Sequence, residues 1–575
     1  MDSTDRQYWG ARALDDDSWS IAIWAPDAAA VQVVVDDIPH PLQPGPDGIF
    51  QTRITAPAGT PYVFDVDGQR LPDPASLLQQ GDVHAPSVLT RRPAVADWPG
   101  RDWHESVISE IHIGTFTTEG TFTAAARRLP DLAALGINTI EVMPIAQFAG
   151  RHGWGYDGVL HHAVHPAYGT PQQFADFVTA AHDLGLSVIL DVVYNHFGPE
   201  GAYLHGVCPA FFAKDRATPW GAAIDFTRRA VREFFIGNAL MWVCDFGVDG
   251  LRIDAVHQFN DPSTPEFLEE LARRLRALHL SRPLHLIAED ERNLPHHRDA
   301  ALTDAQWNDD YHHSLHCLLT GEAEGYYAPF AVDPIGDLAT ALTEGHVAQG
   351  QPRPGHPAEG TPRGAPSAHL PPEAFVNANQ THDQIGNRAL GERLIALTST
   401  DAMRTAHALL LTSPFIPMLF QGEEIGARTP FPFFCDFDGD LADAVRKGRL
   451  AEFADFGDFA GAFPDPLDPQ TFTGARPYAT PPADARDWTA LTARLLTWRR
   501  DKVVPLLRSG QTGAVAKVLG PKALKVTWQF AAGTLHSVVQ LGQAIAPHHW
   551  PADSAGLSLA APQDEFAFCT WTDPR

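Results

Sequence analysis

Between residues 102 and 502 short apolar runs alternate with longer amphipathic ones, and this alternation limits the possible folds more than any other feature of the chain. The pattern predicts strands over Val107–Phe116, Ile137–Pro144, Leu186–Tyr194, Val248–Val256, Leu284–Glu289, Ala305–Tyr311, Phe375–Gln380 and Phe415–Gln421. Helical periodicity falls between them, over Phe122–Leu135, Pro171–Leu184, Arg228–Phe246, Pro265–His279, Asp337–Glu344, Ala402–Leu411 and Trp488–Arg500, while the helix after the fifth strand is not legible. Strands alternating with covering helices make a parallel sheet, so the class is α/β. Eight repeats over about 400 residues predict closure into a (β/α)8 TIM barrel. The long stretches after Ile145, His196 and Gly426 read as insertions on the strand-to-helix side, the face where barrel active sites sit. Gly350–Pro372, rich in Pro, Gly and His, reads as an exposed loop before the seventh strand.

The two ends follow a different pattern. Residues 1–99 hold short β-type runs broken by Pro, Asp and Gly, among them Trp19–Trp24 and Val31–Val35, which predicts a small immunoglobulin-like β-sandwich. Residues 503–575 return to β runs over Ala514–Leu519, Ala523–Phe530, His536–Leu541 and Phe566–Trp571, and a second β-sandwich is expected there. The catalytic barrel is thus expected over 100–502. Trp19, Trp24 and Trp103 are read as packing residues rather than a glucan-binding surface.

Charges embedded in apolar strands are costly unless they are paired or functional. Asp191, Asn195 and His196 end the third strand; Arg252, Asp254 and His257 the fourth; Glu289 the fifth; His382 and Asp383 the seventh. Four strands carrying such groups at the same end converge on one site. Retaining cleavage of a glycosidic bond needs two carboxyl groups about 5–5.5 Å apart, one to attack the anomeric carbon and one to protonate the leaving oxygen. Neighbouring strands lie about 4.8 Å apart, so Asp254 and Glu289 are placed for those roles. Arg252 shares a strand face with Asp254 and is expected to lower its pKa, whereas burial is expected to raise that of Glu289. Asp383 is expected to grip sugar hydroxyls, and His196, His257 and His382 to read them.

The substrate class is also bounded by charge. With 42 Lys+Arg against 70 Asp+Glu, the formal net charge is −28, which disfavours nucleic acid and anionic membranes and suits a neutral sugar polymer. Five scattered cysteines without a CxxC pair, a polar N-terminus and no apolar run near 18 residues lead to the expectation of a cytoplasmic protein without disulfides, zinc site or membrane span.

Taken together, the segments Asp191-Val-Val-Tyr-Asn-His, Gly250-Leu-Arg-Ile-Asp-Ala-Val-His, Ala288-Glu-Asp and Thr381-His-Asp resemble the four signature regions of the α-amylase family, in the family's order. Within it the chain resembles, over nearly its whole length, the hydrolases that cut the α-1,4 bond next to the terminal trehalose of maltooligosyl trehalose. That resemblance is carried by Trp154-Gly-Tyr-Asp-Gly-Val, Thr218-Pro-Trp-Gly, Ala288-Glu-Asp-Glu-Arg-Asn, Gln306-Trp-Asn-Asp-Asp-Tyr-His-His, His382-Asp-Gln-Ile-Gly-Asn-Arg, Gln421-Gly-Glu-Glu and Phe434-Cys-Asp-Phe-Asp. It implies Asp254 as nucleophile, Glu289 as acid/base, Asp383 as transition-state stabiliser and Tyr156 as a platform for the sugar. It also implies substrate contacts at Arg252, Ile253, Ala255, Val256 and His257, at Asp309, Asp310, Tyr311, His312 and His313, and at His382, Gln384, Ile385, Gly386 and Asn387. From the residues themselves, Asp191 is read either as a hydrogen-bonding hub that fixes the third-strand loop or as a sugar contact, and His196 as a sugar contact. Thr381 departs from the Asn that many relatives carry before the His-Asp pair. No cofactor or metal is expected, and Gly321-Glu-Ala-Glu-Gly reads as a solvated turn. Two other functions use the same features: a glycogen branching enzyme, which passes the glucan to another sugar, and a non-catalytic glucan-binding protein.

Overall fold

A computed structural model of the chain describes residues 7–574 apart from 16, 95, 219–220, 356–360, 455–462 and 552–555; Pro219 and Trp220 of the Thr218-Pro-Trp-Gly segment therefore lie outside the described residues. Eight parallel strands close into a barrel: β1 (Ile108–Ile111), β2 (Thr139–Val142), β3 (Ser187–Val192), β4 (Gly250–Ile253), β5 (His285–Ala288), β6 (Ala305–Trp307), β7 (Phe375–Ala378) and β8 (Ile416–Phe420). The main covering helices are α1 (Leu129–Leu135), α2 (Pro171–Asp183), α3 (Arg229–Cys244), α4 (Phe267–Arg276), α5 (His296–Asp299), α6 (Asp309–Thr320), α7 (Pro334–Glu344), α8 (Thr400–Thr412) and α9 (Ala485–Trp498). Insertions follow several strands on the catalytic side, including the pairing of Ala146–Gln147 with Leu160–Val164 and the hairpin Phe212–Thr218/Gly221–Ile224. Among the described residues no helix is long and apolar enough to cross a membrane.

The barrel interior is layered. Ile108, Ile189, Ile287, Val376 and Ile416 belong to one buried apolar cluster inside the sheet. Two residues further along, on the same strand face, come Glu110, Asp191 and Glu289. Register places Glu110 opposite Glu141, Asp191 opposite Arg252, and Ile253 opposite Ala288. An apolar floor thus lies below a polar layer at the strands' C-terminal ends, where residues from different strands make a site.

Three expectations need correction, and one gap is filled. The first strand stops at Ile111, and Ile113–Phe116 form a helical turn. The sixth strand ends at Trp307, and Asp309–His313 open α6 instead of extending it. Phe122–Leu135 is two helices, Phe122–Ala126 and α1, with Pro130 in the first turn of the second, where a missing N–H is tolerated. The helix after the fifth strand, illegible in the sequence, is α5, a single turn too short to show periodicity.

The N-terminal region has two antiparallel sheets, with strand pairs Ser18–Trp24/Ile49–Thr55 in one and Val31–Val35/Pro61–Val66 in the other. Trp19 and Trp24 are buried, and their indole N–H groups donate to the Ala56 and Asp47 carbonyls. Trp9 joins this region to the barrel, donating to Ala230 O of α3 at 2.8 Å and packing edge-on against Phe211 and Phe234. At the other end the described residues form one five-stranded sheet over Gln511–Gly520, Ala523–Phe530, Gly533–Leu541, Phe566–Pro574 and Leu557–Leu559, where a second sandwich was expected. Helices of the barrel take the place of a facing sheet: Trp528 is fully buried and its Nε1 donates to Leu342 O of α7 at 2.7 Å.

Candidate active site

Arg252, fully buried on β4, organises the site. Its Nη1 lies 2.6 Å from Asp254 Oδ1 and 3.0 Å from Asp191 Oδ2, and its Nη2 lies 3.0 Å from Glu289 Oε2. The guanidinium plane sits 4.1 Å over the Trp307 ring, which fixes its orientation. Asp254 and Glu289 follow registered neighbours, Ile253 and Ala288, so their carboxyls meet at one mouth of the barrel and share one guanidinium.

The second contacts separate the two acids. Asp254 receives a donor on each oxygen, Arg252 on Oδ1 and Asn195 Nδ2 on Oδ2 at 3.2 Å. On Glu289 both donors fall on Oε2, from Arg252 and from the backbone N–H of Ala255 at 2.8 Å. Oε1 is thereby left for the proton that a leaving group requires. Ala255 presents that N–H from a left-handed conformation, φ 39°, a strained geometry for a residue with a Cβ. Burial raises the Glu289 carboxyl above its ordinary range, against the pull of Arg252, as expected. The expectation for Asp254 is corrected: burial outweighs Arg252 there too, and Asp191 adds to it, so this carboxyl is also raised.

Asp191 is a buried hub. It accepts from Tyr156 Oη at 2.6 Å and from Arg252, and burial pushes its carboxyl up to about 6. Tyr156 stacks on His382 with ring centroids 5.1 Å apart. His196, expected to read hydroxyls, has both ring nitrogens against protein oxygens, Asn195 Oδ1 and Tyr156 O, each at 2.9 Å. Burial lowers its pKa to about 4, and the ring holds the Asn195 that touches Asp254.

The β7 end is held by a helix cap. Thr381 Oγ1 accepts from Asp383 N at 3.2 Å and donates to Gln384 Oε1 at 2.6 Å, so the departure at this position supplies an N-cap for the turn carrying Asp383. Burial raises the Asp383 carboxyl, opposed by His382 at 3.5 Å. Gln384 Nε2 reaches Asp309 Oδ1 at 3.3 Å. Ile385 is buried in a cluster with Trp154 and Phe431, and a Cβ on Gly386 would come within 1.9 Å of the Trp154 ring. Asn387 is exposed.

Of the five residues at the start of α6, only Asp309 is drawn into this group of acids. Burial and then the charges of Glu289 and Asp383 push it up to about 7. Asp310 points elsewhere, into a buried network with Asn293, Arg363 and the N–H groups of Val347 and Ala348. Tyr311 is fully buried and its hydroxyl donates to Asn379, while His312 and His313 pack among Tyr326, Tyr327 and Phe330. Ile253, Ala255 and Val256 are buried. The "solvated turn" is also more structured than expected, because Glu322 is bidentate to Arg388 and bonded to His316.

Beyond the end of β4 a cavity of about 440 Å³ is lined by Arg216, Val256, His257, Asn260, Glu266 and Arg292 among others. At its rim Glu266, His296 and His297 bring ligand atoms within 4.8 Å of one another, a grouping that sequence spacing did not suggest. Sequence reasoning also passed over Glu110, Glu141 and Trp307. The first two meet the criterion that exposed the others, an acid inside an apolar strand, on β1 and β2, where it was not applied.

The α-amylase catalytic-domain model matches residues 103–220. The malto-oligosyltrehalose trehalohydrolase of Arthrobacter ramosus is 39% identical over 577 residues, 94% of this chain and 98% of its own. A solved Salmonella typhimurium structure, provisionally assigned as an alpha amylase, superposes with a TM-score of 0.93 at 41% identity, over 99% of this chain and 100% of that one. A 1,4-alpha-glucan branching enzyme of Mesorhizobium japonicum is 34% identical, but over only 41% of this chain and 37% of its own. Both the arrangement of acids around Arg252 and the end-to-end likeness lead to one conclusion: the chain belongs to the malto-oligosyltrehalose trehalohydrolase family of α-amylase-type glycoside hydrolases.

Proposed function

We propose that the enzyme releases trehalose from maltooligosyl trehalose by retaining hydrolysis of the adjoining α-1,4 bond. Asp254 attacks the anomeric carbon while Glu289 gives its proton to the departing oxygen; Glu289 then takes a proton from water, which opens the glycosyl–Asp254 ester. Asp383 binds the sugar and favours the oxocarbenium-like transition state, and Tyr156 offers its ring to the sugar. The observation that carries this reading is the single buried guanidinium bonded to both Asp254 and Glu289. The two carboxyls are ranked by their donors: the Asp254 anion is satisfied on both oxygens, while Glu289 keeps one free for a proton.

The trehalose unit leaves from the Glu289 side. The cavity bordered by Val256 and His257, with its Arg, His, Asn and Glu lining, offers donors and acceptors for a neutral polyol and has the volume for a disaccharide-sized group. The net charge of −28 argues against phosphate polymers and anionic membranes as partners, and five free cysteines suit a reducing cytoplasm.

Maltotriosyl trehalose and maltopentaose, offered side by side, test the assignment. Trehalose plus maltotriose from the first, with slow turnover of the second, is the expected result. Equal turnover of both would overturn the trehalose specificity, new α-1,6 linkages from amylose would favour branching, and binding without turnover would favour a glucan-binding protein.

A further inference from the structure

The barrel interior holds two acids that the reaction above does not use. Glu110 on β1 and Glu141 on β2 are register partners, and neither is more than 1% exposed. Their bonding differs. Neither oxygen of Glu141 has a hydrogen-bond partner, and burial, then the charges of Glu110 and Asp191, drive its carboxyl well above its ordinary range. Burial without a donor thus favours its protonated form.

Both oxygens of Glu110, in contrast, engage one residue. Oε1 meets ring Nδ1 of His382, and Oε2 accepts the His382 backbone N–H at 3.2 Å. The far nitrogen of that ring, Nε2, stands 3.5 Å from Asp383 Oδ1. Tyr156 stacks on the ring and Trp154 meets it edge-on at 5.5 Å, so the imidazole has little room to tilt. An imidazole whose Nδ1–H is taken by a carboxylate has its orientation fixed, and a second proton on Nε2 makes that nitrogen a donor as well.

We propose that Glu110 is a positioning residue for the hydrolysis: by gripping both the ring and the backbone amide of His382, it holds the imidazole as a doubly protonated donor with Nε2–H toward Asp383. The proposal rests on the reading of Asp383 as a carboxylate that meets the sugar. The groups facing His382 are Glu110 from β1, Glu141 from β2, Asp191 from β3, Arg252 from β4, His112 after β1, and Asp383 beside it. Burial disfavours the cation, but Asp383 and Glu110 together outweigh it and push His382 up to about 9. Without Glu110 the ring keeps one close acid against burial and Arg252, and it releases its proton at lower pH.

The test is the titration of the His382 ring, followed by nitrogen-15 NMR, together with kcat and KM for maltotriosyl trehalose, in the wild type, Glu110→Gln and Glu141→Gln, with Tm recorded for each. The ring is read directly because Glu289, as the acid of the reaction, also shapes the alkaline limb of the rate profile. In the wild type the ring loses its proton near pH 9. In Glu110→Gln that titration moves to lower pH by about one unit or more, kcat falls about 10- to 100-fold, and KM changes by less than about threefold. In Glu141→Gln it does not move to lower pH. A folded Glu110→Gln enzyme whose ring titration has not moved would reduce Glu110 to a packing role and overturn the proposal. Should that variant not fold, Glu110→Asp decides: a ring titration moved to lower pH with a reduced kcat supports the proposal, and an unmoved titration overturns it. The underlying reading fails separately, if Asp383→Asn hydrolyses at the wild-type rate.

Discussion

Two charged clusters lie within the same mouth of the barrel and are built on opposite plans. Around Arg252 one cation serves three acids, Asp191, Asp254 and Glu289, and all three carboxyls are raised, chiefly by burial. Around Asp310 one acid collects donors from Asn293, Arg363 and two backbone amides, and its carboxyl is lowered against the same burial. A buried acid with surplus donors is fixed as an anion and holds loops together; where buried acids share one cation all are raised, and their remaining donors separate Asp254, bonded on both oxygens, from Glu289, which keeps one oxygen for a proton. Asp309 and Asp310 show this within one dipeptide, the first pushed up to about 7 and the second lowered. Sequence adjacency says nothing about which plan a residue joins.

Substitutions can break this contrast. The largest effect is expected for Asp254→Ala: trehalose release falls by about four orders of magnitude or more, while the Tm stays near that of the wild type. A residual rate within tenfold of wild type would place the nucleophile elsewhere. Next is Glu289→Gln, with a loss of about 10²- to 10⁴-fold and retained binding of the intact substrate, measured by calorimetry. An activated leaving group that bypasses the need for a proton should restore much of that loss, and its failure to do so would remove Glu289 from the acid role.

The Asp310 cluster should respond in stability instead. Asp310→Ala leaves Asn293, Arg363 and two amide N–H groups without their acceptor, and a loss of about 3 kcal/mol in urea unfolding is expected. Its folded fraction should keep kcat within about threefold. A catalytic loss exceeding the loss of folded protein would merge the two clusters.

The smallest effect concerns Asp309. Its folded value, about 7, stands above the ordinary 3.8, so its ionisation costs stability; the cost is absent below pH 4 and complete above pH 7. Asp309→Asn should therefore match the wild type in stability near pH 3 and be the more stable of the two at pH 8, the gap opening between those values. An unchanged difference across that range would show that Asp309 is well paired, like its neighbour.

Much of this was legible in the chain. Alternation of strand and helix patterns led to the barrel because burial on both faces of a parallel strand leaves a continuous apolar run, and charges at the ends of β3, β4, β5 and β7 marked the site because nothing else in such runs tolerates them. Local pattern failed where the deciding contact is distant in sequence. Asp309–His313 is too short to separate strand from helix without knowing that β6 stops at Trp307. The rise in the Asp254 carboxyl depends on burial, which residue types do not report. The alternation in 511–574 shows that one sheet face is covered, but not by what.

That last cover has a practical consequence. Trp528 and its neighbours close over α7 and α8, so the final β region is part of the barrel's wall instead of a detachable module. A chain truncated near residue 510, or a protease nick at that seam, would strip hydrophobic helix flanks bare, and the shortened enzyme should be recovered from inclusion bodies instead of from the clarified extract.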